Sequence, residues 1–222
     1  MRDRYSLAAG LIFAAVIAVA VVHTLGSKDE GTLGLDELRA RWSLPEFALP
    51  SAAGSLEGDA NVAQDDCASA QVPCPAGSRR APACRIRTPG AIRVCDFFDR
   101  PLVLSFWFSR GGNCVSQQDV VDRVYRRYRD RVGFLSVDVR DGRDTVRELI
   151  RQRGWRMPVG YDRDGAVAAL YRIGGCPTFA YAYPGGTLQD AGIGELTAAQ
   201  LEAHVRALLR ATRTASNSRS GR

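Results

Sequence analysis

The chain is short of the residues on which most enzymes depend. Lys28 is its only lysine, so Schiff-base chemistry is excluded from the rest of the sequence. Histidine occurs twice, as His23 at the end of an apolar run and His204 in a helical pattern. Two such isolated imidazoles exclude a multi-histidine metal site and a Ser-His-Asp triad. The net charge is +6, yet the arginines are spread beside Asp and Glu and form no block. Clustering, not number, makes a phosphate footprint, so no nucleic-acid partner is expected. Internal repeats are absent. Sulfur is what remains: Cys67, Cys74, Cys84, Cys95, Cys114 and Cys176.

Charge is also missing from Leu7 to Leu25, which reads LAAGLIFAAVIAVAVVHTL. A run of that length just crosses a bilayer as a helix. Arg2 and Arg4 precede it, and Lys28, Asp29 and Glu30 follow it. That bias places residues 1–6 in the cytoplasm and exports everything after the span. Ala18-Val19-Ala20 offers a cleavage site, so a removed signal peptide is the alternative. The apolar residues continue through Val22, which favours a retained transmembrane helix over 7–25. The expected location is the cell membrane, single-pass, with the C-terminal domain extracytoplasmic. Structural disulfides are permitted there.

Composition divides the rest. Residues 26–43 read as a linker and 44–211 as the domain, interrupted by a Cys-rich insertion over 55–95 with little periodicity. Residues 212–222, rich in Ser and Arg, read as a disordered basic tail. Leu102–Phe108 is a continuous apolar run, as in a strand buried on both faces. Val121, Val124, Tyr125 and Tyr128 share one helical face within 115–131. Residues 132–139 make a second strand and 144–153 and 166–171 two further helices. Residues 178–183 alternate as a strand ahead of a Pro184-Gly-Gly186 turn. Thr197-Ala-Ala-Gln200 is a capping box opening a last helix that buries Leu201, Val205 and Leu208. This is an α/β pattern with a mixed central sheet flanked by helices.

The insertion's four cysteines allow three pairings. Cys84 and Cys95 face each other across a hairpin turning at Pro89-Gly90, which favours Cys84–Cys95 and leaves Cys67–Cys74. No Cys-x-x-Cys knuckle or nearby histidine supports zinc, and no metal or other cofactor is expected.

A buried strand runs into Phe106-Trp-Phe-Ser-Arg-Gly-Gly-Asn-Cys114 and then a helix. Gly174-Gly-Cys-Pro-Thr-Phe179 follows further on, with Pro45-Glu-Phe-Ala-Leu-Pro50 before and Met157–Gly165 and Tyr183-Pro-Gly-Gly186 in order. Together these resemble the TlpA/ResA group and related redoxins of the thioredoxin-like fold. There the first element reads Phe-Trp-Ala-Ser-Trp-Cys-x-x-Cys and the second Gly-Val-Pro-Thr, with a cis proline beside the active cysteines. The resemblance implies thiol-disulfide oxidoreductase chemistry on protein thiols or disulfides, with a membrane electron donor as a candidate partner. It assigns Trp107, Arg110, Gly111, Gly112 and Asn113 to the active-site loop and Pro177 to the substrate groove.

The departures from the pattern fall at the active site. Gly111 stands where the family's nucleophilic cysteine belongs, so the motif is Gly-x-x-Cys. Cys176 stands just before the proline, where Val or Thr is common. The resemblance therefore implies that Cys114 and Cys176 are neighbours able to form a non-local disulfide, with Cys114 as the reactive thiol and Cys176 as its partner. A helix start lowers a thiol pKa and burial raises it, so Cys114 is either activated or an inert remnant. Two alternatives stand beside the exchange reading: a catalytically silent binding module, and a peroxiredoxin-like peroxide reductase using Cys114.

Overall fold

The computed structural model describes residues 42–56, 63–64, 82–110 and 112–220. The expected span 7–25, the linker as far as 41, Cys67, Cys74 and Gly111 lie outside the described residues. Among the described residues no helix is long and apolar enough to cross a membrane.

β1 (Phe47–Pro50) is the centre of a small antiparallel sheet with β2 (Ala63–Gln64) and β3 (Ala91–Arg93). The main sheet holds β4 (Leu102–Trp107), β5 (Gly133–Val139), β6 (Val159–Asp162), β7 (Thr178–Ala182) and β8 (Leu188–Ile193) in the order β6-β5-β4-β7-β8. β4, β5 and β6 run parallel, while β7 opposes β4 and β8 opposes β7. Among the described residues there are four α-helices: α1 (Cys114–Tyr128), α2 (Arg143–Arg153), α3 (Ala166–Leu170) and α4 (Ala198–Ser220). This is the thioredoxin-like mixed sheet.

Period-two alternation divides the sheet into two faces. On one, Val103, Trp107, Phe134, Phe179 and Tyr181 pack under α1, α2 and α4 through Val121, Val124, Val146, Leu201, Val205 and Leu208. On the other, Leu104, Phe106, Leu135, Val137 and Ala180 meet Phe47, Leu49, Val167 and Tyr171. Each large apolar side chain sealed in these layers contributes about 1.5–3 kcal/mol. Every β4 side chain is buried, including Ser105, whose hydroxyl donates to Gln118 Oε1 at 3.2 Å. Ser136 on β5 donates to the same oxygen at 2.9 Å, so one α1 amide oxygen serves both strand hydroxyls. α2 stops where Gly154 takes φ 65°, a left-handed cap that a β-carbon disfavours.

The sequence reading needs three corrections in the fold. The tail expected to be disordered from 212 continues α4 to Ser220. A helix seeded by the packed turns at 201–209 extends at low cost through Ala211 and Ala215, and the Thr212 and Thr214 hydroxyls donate to carbonyls four residues back. The insertion drawn over 55–95 is structured at its end: Ala91–Arg93 forms β3, and Ala83 and Val94 are fully buried. Finally, Cys84 and Cys95 do pair, with Cα atoms 5.8 Å apart, but across no hairpin. The chain does turn at Pro89-Gly90. Its second arm then bonds β1, and the two cysteines sit in separate 3-10 turns, Ala83–Arg85 and Val94–Phe97. Arg93 ties those turns together, donating to the Cys84 carbonyl at 3.0 Å and pairing with Asp96. Alternation in β3 showed a strand and could not show its partner.

Candidate active site

α1 begins at Cys114 directly beneath the C-terminal end of β4. Gly112 leads into it at φ 57°, a left-handed conformation that costs glycine little. Asn113 precedes the helix and makes no cap; its amide instead donates to Glu195 Oε1 at 3.0 Å. The first-turn N–H groups of α1 are therefore left without a side-chain acceptor, and their partial positive charge surrounds Cys114.

Cys176 comes from the opposite direction, at the entry to β7. The Cys176–Pro177 peptide is cis. The Cys114 and Cys176 Cα atoms are 5.8 Å apart, and a disulfide joins them. Cys114 is 1% exposed and packs in the layer that holds Trp107. Cys176 is half-buried, so of the two it is the residue that solvent reaches.

A loop after β8 holds both halves of the bridge in place. Gly194 N–H donates to the Pro177 carbonyl at 2.9 Å. Gln117, one turn into α1, donates to the Leu196 carbonyl at 3.1 Å and accepts from Leu196 N–H at 2.8 Å. Neither Gln117 nor Glu195 was singled out by sequence, because a polar residue one turn into a helix looks like surface. Trp107 is buried edge-on against Trp155, with ring centroids 5.4 Å apart. Arg110 is 84% exposed, its guanidinium 3.9 Å from Asp141. Ser109 closes on the same carboxylate through its backbone N–H and its hydroxyl, the latter at 2.7 Å.

Asp138 is the feature that sequence reasoning missed. It pairs in register with Trp107 on the α1 face of the sheet and is fully buried. Among the described residues no donor other than the neighbouring Asp141 comes near its carboxyl, and the Trp107 indole N–H and the Gln118 amide nitrogen are unpartnered. Burial first, and then the neighbouring Asp141, push the Asp138 carboxyl up to about 9, so it is neutral at pH 7. A lone acid in an otherwise apolar strand was the available signal.

Among the described residues, Glu46, Cys84 and Cys95 bring metal-ligating atoms within 4.8 Å of one another. Both sulfurs are committed to the bridge, and Glu46 accepts the Cys84 N–H at 3.0 Å. The cluster therefore acts as a staple.

The fold and the bridged site define a thioredoxin-like domain whose cysteine pair spans two loops. No family model matches the chain. It is 25% identical over 115 residues to the thiol-disulfide oxidoreductase ResA of Oceanobacillus iheyensis, covering 51% of this chain and 60% of that protein. It is 24% identical over 116 residues to ResA of Bacillus thuringiensis, covering 52% and 67%. The match thus spans about 60% of the first relative's length. In fold it is similar to a putative thiol:disulfide interchange protein DsbE from Chlorobium tepidum. The TM-score is 0.57 at 18% identity, over 78% of this chain and 99% of the other. A DsbF homologue from Corynebacterium diphtheriae gives 0.56 at 18%, over 82% and 96%. The chain is thus similar in sequence to the ResA thiol-disulfide oxidoreductases and has the thioredoxin-like fold.

Proposed function

We propose that the protein is a thiol-disulfide oxidoreductase acting on polypeptide cysteines, and that Cys114 and Cys176 are its redox pair. The supporting observation is the disulfide itself, with Cys114 buried at a helix N-terminus and Cys176 half-buried. The exposures favour a definite division of labour. A substrate thiolate attacks the Cys176 sulfur. A substrate–Cys176 bond forms, the Cys114–Cys176 bond breaks, and the electron pair leaves on Cys114. The α1 amides stabilise that departing thiolate, and a better leaving group is expelled faster. A second substrate thiolate then attacks the substrate sulfur of the mixed disulfide. This releases an oxidised substrate and a Cys176 thiolate, and the pair has gained two electrons. In the reducing direction Cys176 attacks and Cys114 resolves.

This reading gives Cys176 the nucleophile's place that Gly111 leaves empty. It reverses the expectation that Cys114 is the reactive thiol: Cys114, 1% exposed, becomes the buried resolving thiol. Burial of Cys114 weighs against peroxide reduction, which needs an open thiolate. The deciding measurement is insulin reduction with a small thiol as electron source, followed by mass analysis. Wild type should accelerate the reaction, Cys176→Ser should not, and Cys114→Ser should accumulate a mixed disulfide at Cys176. No acceleration by wild type in either direction would leave the binding-module reading in its place.

The proposed setting is outside the cytoplasm, tethered through residues 7–25. Its support is the uncharged run and its flanking charges. Protease added outside cells stripped of wall or outer membrane should digest the domain. Protection with the membrane intact would overturn this placement.

A further inference from the structure

A cleft of about 450 Å³ opens at the C-terminal ends of β4 and β5. Its walls come from the end of β5 with Arg140 and Asp141, from the start of α3, and from the segments leading to the cysteines: Arg110 lies four residues before Cys114, and Gly174 two before Cys176. Phe108, Val139 and Ile173 line it with apolar surface. Its edge is cationic. Arg110 projects into solvent, and its ion pair with Asp141, which also lines the cleft, is long at 3.9 Å. Asp141 is itself turned inward and taken up by Ser109. Arg140 is exposed and stands at φ 64°, in the left-handed region that side chains avoid. It is held there by its N–H to the Asp162 carbonyl at 2.9 Å and its Nε to the Asp164 carbonyl at 3.2 Å. Strained backbone of this kind persists where the surrounding structure fixes it, and it concentrates at binding sites.

The geometry points to a specificity site: the cleft takes the stretch of a polypeptide substrate that adjoins its reactive cysteine, and it selects an apolar side chain next to a carboxylate. This rests on the exchange reading above and adds the substrate class to it. The apolar side chain would cover Phe108 and Ile173. The carboxylate would sit between Arg110 and Arg140, where a guanidinium offers paired donors. Such a charged edge acts mainly on encounter and selection, and salt weakens it.

The test uses the full chain and short peptides disulfide-linked to a chromophoric thiol. Each peptide carries Leu-Glu, Leu-Lys or Ser-Glu beside its cysteine, placed on either side in separate sets. Neutral 4,4′-dithiodipyridine serves as the cleft-independent disulfide. The Leu-Glu peptide should react roughly tenfold faster than Leu-Lys at low salt, and the ratio should fall toward one as salt rises. Ser-Glu should be slower than Leu-Glu by a few-fold. In Arg110→Gln combined with Arg140→Gln the Glu-to-Lys ratio should collapse. Because that ratio is taken within one protein, a general loss of rate cancels. A ratio near one in wild type, or one that survives in the double variant, would overturn the cleft proposal. Failure to react with any disulfide, dithiodipyridine included, would instead overturn the exchange reading on which it rests.

Discussion

The molecule carries two described disulfides with the same Cα separation of 5.8 Å. Cys84–Cys95 closes a short loop between two 3-10 turns, with Arg93 and Glu46 bonding around it. Cys114–Cys176 joins residues 62 positions apart, at a helix start and a strand entry. On the chain-entropy estimate the longer loop stabilises more, about 4 kcal/mol against about 3 kcal/mol. Stability therefore cannot tell a staple from a redox pair here. Their surroundings differ: the first bridge has both cysteines half-buried in 3-10 turns, and the second joins a half-buried cysteine to one that is fully buried at a helix start. What a disulfide does is set by where each sulfur's electron pair would go if the bond opened.

Removing one cysteine from each bridge would break that comparison most sharply. Cys176→Ser should lower exchange activity by roughly two orders of magnitude or more, since no other sulfur at the site meets the substrate. Cys84→Ser with Cys95→Ser should stay within about twofold of wild type in the same insulin assay, while denaturant melts lose about 2–3 kcal/mol. Equal activity losses in the two variants would show that both bridges serve the fold alone.

Asp138, opposite Trp107 on β5, adds a contrast through pH. Its folded pKa of about 9 lies above the ordinary 3.8. Between those values the unfolded chain releases a proton that the folded chain keeps, so this group lowers stability as pH rises. Asp138→Asn removes that slope. Relative to wild type the variant should gain about 2–4 kcal/mol between pH 4 and pH 7 in urea melts. A constant offset across that range would mean that the carboxyl is ionised in the folded protein.

The smallest expected effect is at the lacing. Gln117→Ala forfeits both bonds to Leu196 and should cost about 1–2 kcal/mol. It should also raise hydrogen exchange at 194–197 more than in β4. Unchanged exchange there would mean that Asn113 and Gly194 hold the loop unaided.

Most of the scaffold was legible because its signals are local. The apolar run at 102–108 marked β4, the spacing of Val121, Val124 and Tyr128 marked α1, and the capping box marked the start of α4. The cysteine pair was legible only by resemblance, since nothing local links Cys114 to Cys176. Partnerships were the weak point. Ala91–Arg93 reads equally well as one arm of a hairpin or as a strand bonded to β1, and it is the latter. Composition misjudged 212–220, where continuation of a helix needs little beyond Ala and an existing turn. Asp138 and Gln117 were invisible for a related reason: their importance lies in what neighbouring elements fail to offer, or do offer, across the fold.

The Gln117–Leu196 pair, together with Gly194 N–H on Pro177, has a kinetic consequence. Because the loop after β8 fastens to both α1 and the entry of β7, opening the disulfide need not let the two sulfurs drift apart. Each thiol then faces the other at an effective concentration far above that of any partner in solution. On the proposed exchange reaction, a mixed disulfide at Cys176 would be short-lived, since Cys114 would compete for it intramolecularly. The protein would release its substrates quickly and exchange electrons two at a time, and a captured complex would be seen only when Cys114 is taken away.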